Sequence, residues 1–340
     1  MENTPSAPGQ SDRKLDHIEL AFKADMLNQG PDPRFYYEPM LAGHPGPGTD
    51  LSIDFLGKKL KAPLWVSSMT GGTEKAFMIN HRLAETCAKF GLGMGLGSCR
   101  SLLTGRERLK DFDVRNILGP DLPLYANLGI AQVEELFAQK QTGRLQELIA
   151  LLQADGLILH INPLQEWLQP EGDRIQKPPI ETVQQLLQSV SFPVIVKEVG
   201  QGMGPESISA LLKLPIAAFE LAAHGGTNFS KLELLRSDSN TRDAYSSLSQ
   251  VGHSAGEMVD WINTITLDSE TTQCQQFIIS GGIKDFLDGY YLTTKLRWPA
   301  IYGQASGFLK YATESQGALD AYVNQQIRGL QLAQQYLRIR

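Results

Sequence analysis

The chain is short of cysteine. Cys87, Cys99 and Cys274 are the only three in 340 residues. They are odd in number and show no CxxC spacing, so neither a disulfide framework nor a zinc site is supported, and a reducing compartment fits. A basic excess is also lacking. Lys and Arg total 31 against 37 Asp and Glu, a formal net charge of -6, which excludes nucleic acid as an expected partner. No apolar run is long enough to span a bilayer, and the N-terminus has no signal-peptide core. The expectation is a cytoplasmic protein with no membrane partner. What the chain does have is material for a core, with 42% hydrophobic and 20% charged residues.

A GxGxxG turn is missing too. The first apolar run ends Ser68-Met69-Thr70-Gly71-Gly72, without the spacing that a doubly wound dinucleotide-binding sheet usually carries after its first strand. Residues 1–10 hold nothing that packs and read as a disordered tail, and residues 11–340 read as one domain. Ser11 is placed to cap a helix carrying Arg13, Lys14 and His17, with Ile18 and Phe22 on its apolar side. The Pro/Gly-rich stretch 31–48 reads as loop.

From Pro63 onward one theme recurs: a short apolar run ending in small or polar residues, then a helical pattern. The runs span 63–68, 91–98, 122–129, 156–162, 193–200, 217–223, 275–282 and 299–306. Eight strand and helix alternations predict an α/β fold of the (β/α)8 TIM barrel class. The long final helix, 318–337, is assigned either to closing the barrel or to an oligomer contact. The segment 228–253, rich in Ser, Asp and Asn, is too long for a simple connector and is expected to form a lid, with a plain surface loop as the alternative.

Barrel active sites assemble at the C-terminal ends of the strands, and here those ends are polar. They present Ser68 and Thr70; Ser98 and Arg100; Asn127; His160, Asn162, Gln165 and Glu166; Lys197 and Glu198; His224 and Thr227; Ser280, Gly281 and Gly282; Gln304 and Ser306. The turns after strands seven and eight, Ser280-Gly281-Gly282-Ile283 and Gln304-Ala305-Ser306-Gly307, sit where barrels often build a phosphate nest. A Gly-Gly pair alone serves equally as a tight turn. Lys197, inside an apolar run, needs an anionic partner: Glu198, a neighbouring strand, or an anionic or electron-rich cofactor. Glu166 is either a solvated carboxylate or a ligand for a hard cation such as magnesium.

At these residues the chain closely resembles the type 2 isopentenyl-diphosphate isomerases, flavin-dependent barrel enzymes. The matching pieces are Arg13-Lys14 with His17, Met69-Thr70-Gly71-Gly72, Gly97-Ser98-Cys99-Arg100, Asn127-Leu128-Gly129, His160-Ile161-Asn162-Pro163-Leu164-Gln165-Glu166, Lys197-Glu198-Val199-Gly200, Gly225-Gly226-Thr227 and Ser280-Gly281-Gly282. The ordered set is what makes the likeness specific. The resemblance implies a 1,3-allylic proton shift between isopentenyl and dimethylallyl diphosphate, with reduced FMN, Mg2+, and NAD(P)H as reductant of the flavin. It implies a small-molecule diphosphate as partner and a homo-oligomer, tetramer or octamer. By the same resemblance, Ser68, Met69, Thr70, Ser98, Asn127, Lys197 and Thr227 would hold FMN. Gly281, Gly282, Ile283, Ala305 and Ser306 would grip its phosphate. Arg13, Lys14 and Arg100 would reach the substrate diphosphate, and His17 would add a further contact. Gln165 would lie beside the reacting double bond with His160 and Asn162 near it, and Glu166 would bind magnesium.

The sequence departs from the family at Lys284, Phe286, Ser306 and Gly307, all around the phosphate grip. Backbone N–H groups there do not depend on side-chain identity. Three rivals remain open. An FMN-dependent 2-hydroxy-acid oxidase would share the fold, but Thr227 stands where that family's arginine would follow His224-Gly225-Gly226. A loop-cysteine dehydrogenase would use Cys99. A non-catalytic flavin-binding protein would keep the cofactor alone.

Overall fold

The computed structural model describes residues 10–24, 26, 30–46, 48–68, 73–267 and 272–340. Eight parallel strands close into a barrel. In chain order they are β1 (Leu64–Val66), β2 (Gly93–Gly95), β3 (Leu124–Gly129), β4 (Gly156–His160), β5 (Val194–Lys197), β6 (Ala218–Glu220), β7 (Phe277–Ser280) and β8 (Ala300–Gln304). Each falls inside one of the apolar runs of the sequence. β8 pairs with β1 and β7 with β6, so no edge is left open. The (β/α)8 barrel is the architecture of the chain, and the doubly wound alternative is ruled out by this closure.

Both faces of a barrel strand are covered, which is why these segments read as continuous apolar runs rather than alternating ones. Every barrel-strand residue is buried except His160, the last residue of β4. Across the register His160 pairs with Lys197 and Lys197 with Glu220. Register neighbours in a parallel sheet point to the same side, so an imidazole, an ammonium and a carboxylate form one polar layer at the top of the apolar barrel.

The opposite end is sealed by a hairpin, Ile53–Phe55 with Lys58–Leu60, whose Phe55 and Leu60 are buried. Lys58 and Arg115 both hold Asp155, at 2.5 and 2.8 Å, while the Leu124 N–H donates to the same carboxylate. Asp155, one residue before β4, is therefore a clasp at the foot of the barrel. Burial alone would raise its carboxyl, but the hydrogen bonds from Lys58, Leu124 and Arg115 outweigh it and hold the group below its usual 3.8. Its contribution is present above that usual value and is lost as pH falls through the lower folded one. Asp155→Asn is expected to cost about 2 kcal/mol at neutral pH. Urea unfolding of both proteins should show the gap narrowing as pH falls below the usual carboxylate range.

Two elements differ from expectation. Within 31–48, Phe35–Tyr37 forms a strand that pairs antiparallel with Leu337–Ile339. This ties the N-terminal region to the chain's end, a long-range pairing that the local Pro/Gly content hides. The last helix, Gln316–Tyr336, buries Leu319, Val323, Leu330 and Ala333 and packs against the helices Glu74–Phe90, Phe286–Lys295 and Ser306–Glu314. Closing the barrel is thus its role. The first helix, Gln10–Leu20, already contains Ser11, which is therefore not its cap, and residues 1–9 of the expected tail lie outside the described residues. Its Leu15 and Ile18 are exposed, as is Phe22 just beyond it. Among the described residues no helix is long and apolar enough to cross a membrane.

Candidate active site

A cavity of about 370 Å³ opens at the C-terminal mouth of the barrel, between the ends of β1, β5, β6, β7 and β8. One end of it is built from backbone. Gly281 and Gly282 adopt φ of 88° and 75°, conformations that only glycine takes at no cost. A Cβ on Gly281 would stand 2.1 Å from the Ala223 carbonyl oxygen, and one on Gly225 would stand 3.1 Å from Gly282 Cα. The β6 and β7 loops therefore pack main chain against main chain. Beside them begins the helix Ser306–Glu314, which has no side-chain cap at its N-terminus. Its first N–H groups are unpaired donors at the positive end of the helix dipole. Uncapped N–H groups beside a half-buried glycine turn are a setting suited to an anion.

The departures from the family take their places around this setting. Lys284 is exposed at the cavity rim, its N–H donating to Asp288. Phe286 turns away and packs its ring against Gly329 of the last helix, in space that a Cβ there would fill. Tyr322, from the same helix, donates to Gln304 at 2.7 Å, and the Gln304 amide donates to the Ile283 carbonyl. This bridge fixes the β7 turn to the end of β8.

The floor of the cavity is charged. Lys197 is buried, and its Nζ donates to the Glu198 carbonyl at 2.7 Å. The Glu198 carboxylate, the neighbour expected to pair with it, instead turns back to accept from the N–H groups of Gly200, Gln201 and Gly202. Burial raises the Glu198 carboxyl against these bonds. Among the described residues no carboxylate lies within ion-pair distance of Lys197. A buried ammonium without a carboxylate partner fits an anionic or electron-rich ligand in the cavity.

Next to the cavity, the end of β4 organises a second polar group. Pro163 stops the ladder and starts the short helix Pro163–Leu168. Asn162, at its N-cap, does not cap it. Its amide donates to Gln165 Oε1 and Glu166 Oε1, at 3.1 and 3.0 Å. Glu166 Oε2 accepts from the Asp173 N–H, and Gln165 donates to Glu233. Arg100 forms an ion pair with Asp173 at 2.8 Å, and Gln132 donates to the same carboxylate. Glu166 is buried, and so is the oxygen Asn162 Oδ1, which has no partner among the described residues. A buried carboxylate beside an unpartnered amide oxygen is an oxygen donor set suited to a hard divalent cation. Among the described residues no group of three or more His, Cys, Asp or Glu could hold a metal by itself. A cation here would complete its shell with water and ligand phosphate.

His160 joins the two groups. Asn127 uses its amide nitrogen on the Leu96 carbonyl, which leaves Oδ1 to accept from His160 Nδ1 at 2.8 Å. The network so assigns the tautomer, with Nε2 bare. Burial, helped by the positive charge of Lys197, lowers the imidazole from 6.5 to about 3, so it is neutral at working pH and is no strong acid. An unfolded histidine protonates near 6.5, so the stability gained from a neutral His160 is complete above that pH and drains away as pH falls toward 3. His160→Gln is expected to flatten the pH dependence of unfolding free energy between pH 4 and 6 by about 1.4 kcal/mol per pH unit. Urea midpoints across that range measure it.

Over its length the chain is 35% identical to an isopentenyl-diphosphate delta-isomerase of Rickettsia felis, across 329 residues that cover 94% of this chain and 91% of the relative. The Rickettsia typhi protein of the same name is 36% identical over 310 residues, 88% of this chain and 86% of the relative. The chain belongs to the isopentenyl-diphosphate delta-isomerase family. No protein-family model matches it. Among solved structures its fold is similar to a flavocytochrome b2 variant with sulfite bound, at TM-score 0.61 and 9% identity over 88% of this chain and 71% of that one. It is also similar to a mandelate oxidase variant carrying a monooxide FMN adduct, at TM-score 0.56 and 12% identity over 91% and 88%. At such identities the likeness shows the barrel fold alone.

In this isomerase family member, the residues assigned by resemblance divide in three. Ser68, Lys197, Thr227, Gly281, Gly282, Ile283, Ala305 and Ser306 all line the cavity, and Asn127 stands behind His160. Gln165, Asn162 and Glu166 form the adjoining cluster with Arg100 at its edge. Ser98, Lys14 and His17 are exposed and do not line the cavity. Met69 and Thr70 lie outside the described residues, as does the side chain of Arg13. The segment 228–253 carries the helices Phe229–Arg236 and Ser239–Tyr245 and a 3-10 turn, Ser246–Gln250. Gln201 anchors it through the Leu248 and Val251 carbonyls, so plain loop is not its structure. Cys99 is buried and its thiol is pushed up to about 12, which removes the loop-cysteine reading.

Three residues of the site escaped the sequence reading. Asp173 and Glu233 sit in loop and helix segments with no strand pattern to mark them. Glu220 is different: a lone carboxylate in the apolar run 217–223 is the same signal that singled out Lys197.

Proposed function

We propose that the chain interconverts isopentenyl diphosphate and dimethylallyl diphosphate by a 1,3-allylic proton shift, with FMN in the barrel cavity and Mg2+ at Glu166. One observation carries this reading. A glycine-lined cavity, with a buried ammonium that has no carboxylate partner among the described residues, adjoins a buried Glu166 and Asn162 oxygen pair, so two phosphate-bearing molecules could meet at one mouth. Membership of the isomerase family supports the substrate class.

The residues fit a flavin mononucleotide. Gly281, Gly282 and the N–H groups at Ser306 would take the phosphate, and Lys197 would favour negative charge on the ring system. When bound, reduced FMN supplies the acid and base that the reaction needs and the side chains do not offer. An alkene is a weak base, and His160 keeps its proton on Nδ1 against Asn127. Glu166, held by Asn162 and the Asp173 N–H, keeps its oxygens aimed for Mg2+, which would neutralise the diphosphate. Gln165, tied between Asn162 and Glu233, is placed to press the hydrocarbon end of the substrate into position. Arg13, Lys14, His17 and Arg100 would meet the diphosphate from the solvent side. Met69, Thr70 and Ser98 belong to the proposed flavin contacts, and 228–253 to a lid. The reading includes NAD(P)H as reductant and a cytoplasmic homo-oligomer, tetramer or octamer, supported by the exposed Leu15 and Ile18.

Purified protein supplied with FMN, reductant and Mg2+ should form dimethylallyl diphosphate from isopentenyl diphosphate. Chelation or flavin oxidation should stop it, and turnover by oxidised protein would contradict the reading. Lys197→Ala should weaken FMN retention about tenfold or more on gel filtration. A variant as yellow as wild type would contradict Lys197's role.

A further inference from the structure

Glu220 ends β6 with its whole surface buried. Its Oε1 accepts from two hydroxyls, Ser67 at 2.5 Å and Ser280 at 3.0 Å. Ser280 is already engaged as acceptor for the Ala222 N–H, and the Ser67 hydroxyl occupies space that a Cβ on Gly303 would fill, at 2.5 Å. Four barrel strands thus cooperate to hold this one carboxylate still. Yet Oε2 is buried, and among the described residues it has no partner. No arginine or lysine among the described residues pairs with it, although Lys197 is its register neighbour. An apolar side chain would suit a barrel interior better, because an incompletely paired buried carboxylate is among the most costly groups a core can hold.

The location says what the free oxygen is for. Glu220 lines the same cavity as Gly281, Gly282 and Lys197, on a strand that pairs with β5 on one side and β7 on the other. A carboxylate is an acceptor only and repels a phosphate, so whatever lies over it must not be anionic and must offer donors. We infer that Glu220 is the acceptor for the hydroxyl-bearing chain that joins phosphate to ring in the bound cofactor. Its charge then also sets the cofactor's direction, turning the phosphate away toward the β7 and β8 turns. The inference rests on the proposed FMN site and deepens it.

The test compares binding of two probes by fluorescence titration: FMN, and a flavin phosphate whose linking chain is a plain alkyl without hydroxyls. Wild type should bind FMN about 10- to 100-fold more tightly than the hydroxyl-free probe. Glu220→Met and Glu220→Gln should each lose that discrimination, and the hydroxyl-free probe should bind them no worse than wild type. The thermal midpoint of ligand-free Glu220→Met should equal or exceed that of wild type, a readout independent of activity. Equal FMN affinity in wild type and Glu220→Gln overturns the inference alone, as does an equal loss for both probes. A Glu220→Met chain that does not fold assigns Glu220 a structural role in that variant, and the Glu220→Gln discrimination then decides. Wild-type protein that takes up neither flavin overturns the FMN reading and this inference with it.

Discussion

Glu166→Gln is expected to cut isomerase turnover about a hundredfold or more while leaving FMN bound. The substitution keeps the shape and the hydrogen bond from Asn162, whose amide donates to Oε1. It removes the negative charge and turns one oxygen into a donor, which then faces the Asp173 N–H that Oε2 now accepts. A hard cation held here would lose the carboxylate beside Asn162 Oδ1, and amide oxygens are much weaker ligands for Mg2+. The diphosphate would then meet the mouth with its charge unbalanced. Removing a single electrostatic group from such a site commonly costs a hundredfold or more in rate. The cradle proposed for the flavin lies on other strands, at β7 and β8, so the visible spectrum of the purified variant should match wild type. Raising Mg2+ should recover part of the lost rate. Unchanged turnover would remove Glu166 from the metal site.

Gly281→Ala is the second large effect, and it should act on the cofactor and not on the substrate. At φ 88° any Cβ is strained, and this one would meet the oxygen, nitrogen and carbon of Ala223 at 2.1, 2.2 and 2.6 Å. All three are backbone atoms of the β6 end and cannot swing aside. The β6 and β7 loops must then separate, opening the cradle that faces the Ser306 N–H groups. Such a clash is expected to cost about 3 kcal/mol or more in stability and about a hundredfold in FMN affinity. Gly307→Ala serves as the control. Its Cβ would touch the Tyr322 hydroxyl at 2.6 Å, the tip of a side chain that can move. Thermal melts and flavin titration should rank Gly307→Ala as mild and Gly281→Ala as severe; the reverse order would refute the backbone cradle.

The barrel was legible because strands buried on both faces are written as uninterrupted apolar runs, and eight of them recur at helical intervals. Their polar ends marked the mouth, from His160 to Glu166 above all. The segment 155–166 that contains them is a strand of five residues, a proline stop and a short helix presenting Gln165 and Glu166. Asp155, which opens it, belongs to the opposite end of the barrel, and only the three-dimensional partners Lys58 and Arg115 reveal that. The pairing of Phe35–Tyr37 with Leu337–Ile339 was invisible for the same reason: residues about 300 positions apart carry no local signature of each other. Glu220 was legible in principle, since a carboxylate in an apolar strand needs an explanation as much as the lysine of β5 does. The chemistry of Lys197 needed the structure. Sequence proximity suggested Glu198 as its partner, but a run of three N–H groups captures that carboxylate and leaves the ammonium facing the cavity.

The central claim is that this mouth moves a proton between the two ends of an allyl unit. Incubation of isopentenyl diphosphate in heavy water with the protein, reduced FMN and Mg2+, followed by NMR, tests it most directly. The expected product is dimethylallyl diphosphate carrying solvent deuterium in its newly formed methyl group. Conversion without deuterium from solvent, or no conversion by protein that has bound reduced flavin and Mg2+, would contradict it.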